Sequence, residues 1–124
     1  MTSVTEDPRS FLERALTRLF DPLSTEADLL EFFAPDYVQD LNGHRHTFRE
    51  FMDGVSALKS TLRSSTISVT SAVSSGDQIA EIHVVDAIRK DGTRLRFKVI
   101  AFQTIEQGRI KRAEEVNCPL RVEA

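Results

Sequence analysis

Asp86 stands out first, because it interrupts a run of apolar residues at strand spacing. Across Gln78–Lys90 one parity holds Ala80, Ile82, Val84, Asp86 and Ile88; the other holds Glu81, His83, Val85, Ala87 and Arg89. The first set is expected to face the core, with Asp86 its one polar member and Val84 in the pocket wall. A carboxylate on an apolar strand face is costly unless it is paired, hydrated or protonated, and each remedy perturbs its proton affinity. Asp86 is therefore a candidate general acid or base; the competing reading pairs it with a nearby arginine or puts it at a bulge. The next strand offers Leu95, Phe97, Val99, Ala101, Gln103 and Ile105 on its inner parity, with Gln103 the polar exception. Phe97 and Gln103 are thus candidate ligand contacts. Asp40 is a second candidate acid, lying just before the turn Leu41-Asn42-Gly43. There it could remove a proton next to a carbonyl or activate water. Its competing reading is an Asx turn made by its own carboxylate.

Other reactive side chains carry weaker signals. Tyr37, the only tyrosine, could give a phenolic donor at a cavity mouth or simply pack as an aromatic. His44 and His46 flank Arg45 in a loop with no neighbouring cysteine or acid to complete a ligand set, so no metal is expected. His83 falls on the outer parity, where contact with a partner subunit is expected. Cys118 has no base close in sequence, which makes a nucleophilic role a poor fit. No glycine-rich phosphate loop or dinucleotide fingerprint is present, so no cofactor is expected.

The elements that must hold these residues change character midway. Asp7 can cap a helix with Pro8 at its first position, and Phe11, Leu12, Ala15, Leu16, Leu19 and Phe20 form its stripe up to Asp21-Pro22. A short helix is expected over about Thr25 to Phe33, broken by Ala34-Pro35-Asp36, then a brief strand over 37–40. Thr47 and Glu50 sit at capping-box spacing before a third helix with Phe48, Phe51, Met52, Val55, Leu58 and Leu62 at period 3.6. After Leu62 the period becomes strand-like. Turns at Ser75-Gly76-Asp77, Asp91-Gly92 and Glu106-Gln107-Gly108 divide it into four strands. Three helices followed by a long antiparallel meander is an α+β layout, and the sheet must curl around the helices, leaving a cavity between them.

The chain has 124 residues, 40% hydrophobic and 28% charged, with formal charge −3. That length suits a single domain over 1–124, with its core in about 8–118. The charge gives no reason to expect nucleic acid as a partner. No apolar run approaches the roughly 20 residues that span a bilayer, and the polar start is not a signal peptide, so a cytoplasmic domain is expected. One cysteine excludes an internal disulfide.

Three stretches resemble the SnoaL-like branch of the nuclear transport factor 2-like superfamily. They are Phe33-Ala34-Pro35-Asp36-Tyr37-Val38-Gln39, the helix opening Thr47-Phe48-Arg49-Glu50-Phe51, and Gly108-Arg109-Ile110 with Glu115-Val116. The resemblance runs from about Ser10 to Asn117 and implies a cystatin-like α+β cone, with three N-terminal helices packed on a curved antiparallel sheet around a central cavity. By similarity to ketosteroid-isomerase-like members, Ala113, Glu115 and Asn117 would look into that cavity. Asp40 would take the place of the isomerases' basic aspartate, although their oxyanion-stabilising acid would fall near Ala101. Asp86 resembles the acid of the epoxide-hydrolase members, whose arginine two residues earlier is Val84 here.

If Glu115 faces inward with Asp86, two close carboxylates would split their proton affinities, one acting as base and the other as donor. The expected function is a cofactor-independent isomerase, cyclase or hydrolase/dehydratase working on a largely apolar small molecule. Asp40, Asp86 and Glu115 would be catalytic, with Tyr37, Gln103, Asn117, Phe97 and Val84 around the substrate. The alternative is a non-catalytic ligand-binding or accessory dimerisation domain. Relatives usually dimerise through the outer sheet face, where Ile100 and Phe102 form an apolar patch, so a homodimer is expected with His83, Ile100 and Phe102 near its interface.

Overall fold

Local signals set the helices of the structure, a computed structural model that describes residues 7–122. Helix α1 spans Pro8–Phe20, with the Asp7 carboxylate accepting from the Ser10 amide. Its stripe of Phe11, Leu12, Ala15, Leu16 and Leu19 is buried. Helix α2 is shorter than the sequence suggests, Glu26–Leu29, because its capping box at Thr25 and Asp28 starts a helix that turns off at Leu30. Phe33 then opens strand β1, Phe33–Leu41, rather than closing α2. A two-residue turn at Asn42 and Gly43, both with positive φ, pairs β1 with strand β2, His44–Thr47. The stretch expected as a loop around His44 and His46 is therefore an edge strand. Helix α3, Phe48–Ser60, starts at a complete Thr47/Glu50 capping box.

The remaining strands are β3 (Leu62–Ser75), β4 (Gln78–Arg89), β5 (Arg94–Glu106) and β6 (Arg109–Pro119). They form an antiparallel meander, and β1 joins it parallel to β6, giving one six-stranded sheet in the order β2-β1-β6-β5-β4-β3. That parallel contact departs from the all-antiparallel expectation. Register shifts within β3, between β5 and β6 and along β1 bend the strands, as bulges do. The sheet curves around α1 and α3, and Leu12, Ala15, Leu29, Phe33, Tyr37, Phe51, Val69, Ile79, Ile105, Ile110 and Ala113 pack between them. The result is the expected α+β cone.

One hairpin decides which side chains enter the cone. The β4–β5 connection is a three-residue loop: Arg89 N–H donates to Thr93 O at 2.8 Å, and Gly92 N–H to Arg89 O at 2.9 Å. Gly92 closes it at φ +91°, a conformation that favours glycine. A two-residue Asp91-Gly92 turn would have paired residues one position differently. As built, Glu81 lies opposite Ala101, His83 opposite Val99, and Asp86 opposite Arg96. A one-residue register change sends every side chain of a strand to the other face, so the inner face of β4 carries Ile79, Glu81, His83, Val85 and Ala87. The expected inward set, Val84 and Asp86 included, faces out.

Candidate functional site

Between α1, α3 and the concave sheet lies a cavity of about 270 Å³. Its wall is mainly apolar, with Phe20, Phe33, Phe51, Val55, Phe97 and Val99 among its members. Against that wall stand Gln39, His83, Gln103, Glu115 and Asn117, contributed by four neighbouring strands. Glu81 lies just behind them on β4.

These polar side chains form two linked pieces. Glu81, whose side chain is wholly buried, accepts from His83 Nδ1 at 2.8 Å and 3.0 Å through its two oxygens. Gln103 Nε2 donates to the same carboxylate at 3.1 Å. The carboxylate thereby holds the Nδ1 proton, and Nε2 is the ring nitrogen left to meet a ligand. In the second piece, Gln39 Nε2 donates to Glu115 Oε1 at 2.5 Å. Burial pushes the Glu115 carboxyl above its ordinary value, with the charge of Glu81 adding to the effect; the Gln39 hydrogen bond, the His83 charge and Gln103 pull it back only in part. Tyr37 packs edge-on to Phe33 at 5.1 Å and lies 4.8 Å from Phe51. Burial, followed by the Glu115 charge, drives its phenol well above the ordinary value, so it serves as a hydroxyl rather than a phenolate.

Of the three acids expected in the cavity, the structure brings only Glu115 there. Asp86 lies on the outer face, 3.0 Å from both Arg94 Nη2 and Arg96 Nε. Partial burial would raise its carboxyl, but the two arginines outweigh that and hold it below the ordinary range. This is the arginine-paired reading. Asp40 points away from the cavity too, and its Oδ1 accepts from the Gly43 amide at 3.1 Å, closing the Asx turn. Tyr37, Gln103, Asn117 and Phe97 line the cavity, whereas Val84 does not. His83 is corrected in the opposite sense: expected on the outer face, it is 3% exposed and lines the cavity.

Glu81, Gln39 and His46 also belong to the site, without being singled out by the sequence. Glu81 and His83 share a strand parity with each other, a signal that was present, but the same parity also holds Arg89 and fewer large apolar residues. Gln39 shares a strand face with Tyr37 along β1, and His46 is its cross-strand partner on β2. Among the described residues, no three His, Cys, Asp or Glu side chains are grouped to hold a metal, and no helix is long and apolar enough to cross a membrane.

A helix-backed cone of this shape recurs among solved structures. IdmH of Streptomyces antibioticus, a candidate polyketide cyclase, superposes with TM-score 0.72 at 17% identity, covering 90% of this chain and 92% of its own. A nuclear transport factor 2-like protein of unknown function from Exiguobacterium sp. 255-15 gives 0.66 at 21% identity over 87% of this chain and 99% of its own. In sequence the chain is 35% identical over 114 residues to the uncharacterized protein C11D3.04c of Schizosaccharomyces pombe, covering 91% of this chain and 87% of that one. The profile of the SnoaL-like domain matches residues 14–113, from the middle of α1 into β6. That span covers most of the elements that shape the cavity, and the chain belongs to the SnoaL-like domain family.

Proposed function

We propose that this protein is a small cytoplasmic enzyme that moves protons on a largely apolar molecule bound in the cone, using side chains alone. The observation that carries this reading is the meeting of the hydrogen-bonded Glu81–His83 pair and the buried Glu115 at one largely apolar cavity. His83 Nε2 is the base, with Glu81 fixing the tautomer and stabilising the imidazolium as it forms. Glu115 is the acid, its carboxyl held above the ordinary value by burial and placed to donate to an oxygen that gains charge. Abstraction of a proton next to a carbonyl, as in isomerisation or cyclisation, fits this pair, and so does addition or removal of water.

The test is solvent deuterium incorporation into 2-tetralone, followed by proton NMR in heavy water. The protein is expected to accelerate exchange at the carbon between the carbonyl and the ring, and His83→Gln to slow that exchange about 100-fold, the usual scale for a lost general base. Binding of the ketone without any acceleration would overturn the enzyme reading and leave a ligand-binding domain.

The outer sheet face supports a second proposal, that two copies pair back to back. Val73, Ile100, Phe102 and Val116 come from three strands and are 68%, 51%, 57% and 56% exposed. They flank Ile82 in a shallow apolar hollow. Such a patch on a lone domain marks a contact surface, and an isologous pairing lets one patch cover its copy. Phe102→Asp is expected to halve the mass seen in sedimentation at low micromolar concentration, to the 14.0 kDa of one chain. A wild-type protein already at 14.0 kDa would sink the pairing.

A further inference from the structure

Among the described residues, the side-chain atoms buried without a hydrogen-bond partner are Gln103 Oε1 and His46 Nδ1. Both residues line the same cavity. Such atoms are rare in folded proteins because they give up water without replacement. Two of them in one wall point to what the cavity takes.

The Gln103 amide has its direction fixed from behind. Nε2 donates to Glu81 Oε2 at 3.1 Å, and both oxygens of that carboxylate face His83 Nδ1. Turned over, the amide would set oxygen against oxygen. The Nε2 end therefore serves the Glu81 carboxylate, and Oε1 is left over. An amide oxygen only accepts, so its complement must be a donor. His46 sits across the β1–β2 pair from Gln39, whose own amide is committed to Glu115; its Nδ1 meets a donor or an acceptor according to tautomer.

The rest of the wall is mainly apolar, with Phe33, Phe51, Val55, Phe97 and Val99 among its members. The volume of about 270 Å³ equals about nine waters at roughly 30 Å³ each, room for one or two rings. We infer that the ligand is a one- or two-ring apolar molecule bearing a hydroxyl, which donates to Gln103 Oε1 while a second polar atom meets His46 Nδ1. This rests on the cavity being a ligand site, as proposed above, and not on its being catalytic.

A matched pair of probes decides it. 2-Naphthol and 2-fluoronaphthalene are close in size, and only the first has a donor. NMR titration of the wild-type protein is expected to give at least about tenfold tighter binding of 2-naphthol, the scale of one buried hydrogen bond. In Gln103→Leu that preference is expected to shrink to about twofold or less. Equal binding of the two probes to the wild type would overturn the hydroxyl assignment while leaving the cavity a ligand site. A preference that survives in Gln103→Leu would overturn the role of Gln103. Binding of neither probe would overturn this inference and the ligand-site reading together.

Discussion

Glu81→Ala is expected to destabilise the fold by about 3–5 kcal/mol, the usual cost of removing one partner from a buried charged cluster. The Glu81 side chain is 0% exposed and is the acceptor for both the His83 ring and the Gln103 amide. Alanine would strand those two groups in the wall with their donors unmet and would leave a void behind β4. Each loss alone costs about 1–3 kcal/mol when the group stays out of water. Urea unfolding monitored at neutral pH checks this: the midpoint should fall while the slope of the transition stays unchanged, the mark of lost stability in an intact fold. Asp86→Ala gives the contrast. Asp86 also contacts two cations, but its side chain is 36% exposed and Arg94 and Arg96 are more open still, so about 1 kcal/mol or less is expected. Equal costs for the two variants would mean that the Glu81 cluster is no more than another surface pair.

That contrast also shows how far the residues could be read in advance. Helices α1 and α3 were legible because their caps and stripes are local: Asp7, Pro8, Thr47 and Glu50 act within a turn of where they stand. The inner parity of β5 was legible too, since Val99, Ala101 and Ile105 alternate with Lys98, Ile100 and Phe102. Strand β4 was not, for two physical reasons. Its outer face is itself apolar, with Ile82 beside the exposed Ile100 and Phe102, so apolar residues did not mark the inside. The number of residues in the Lys90–Gly92 loop then set the register, and Asp-Gly serves two-residue and three-residue loops alike. One cue pointed the right way. Asp86 and the outward Arg94 and Arg96 are opposite charges at positions that can face each other, and such cross-strand pairs favour the register that joins them. With that register fixed, Glu81 and His83 must turn inward. The inward place of Glu115 was expected by resemblance alone, since β6 shows no clear alternation of its own, and the parallel partnership of β1 with β6 had no local signal.

Glu115→Gln is expected to do the reverse of Glu81→Ala and stabilise the protein at neutral pH by about 1 kcal/mol or more, in the range gained by relieving a functional site. The reason is the mismatch that burial imposes. The folded protein holds the Glu115 proton more tightly than the ordinary value of 4.5, because burial outweighs the Gln39 hydrogen bond and the His83 charge. A raised folded value means that Glu115 adds its full share of stability only below the unfolded value. As pH climbs from there through the folded value, the unfolded chain gives up the proton first, and that share is lost. Wild-type melting temperature should thus decline over this interval by more than that of the variant, whose amide has no proton to lose. The Gln39 contact persists, since an amide oxygen at position 115 still accepts from Nε2. Melting curves recorded from below pH 4.5 to mild alkali give the test. If the variant is no more stable at neutral pH and declines in parallel with the wild type, Glu115 is ionised and fully compensated in the fold, and it has no proton to offer as an acid. If the curves diverge as expected, burial holds the Glu115 carboxyl above its ordinary value, as its surroundings require. Glu81 is matched by the His83 ring and the Gln103 amide and holds the site together. Glu115, with burial outweighing its partners, is the carboxyl that gives up its proton less readily and suits the acid role.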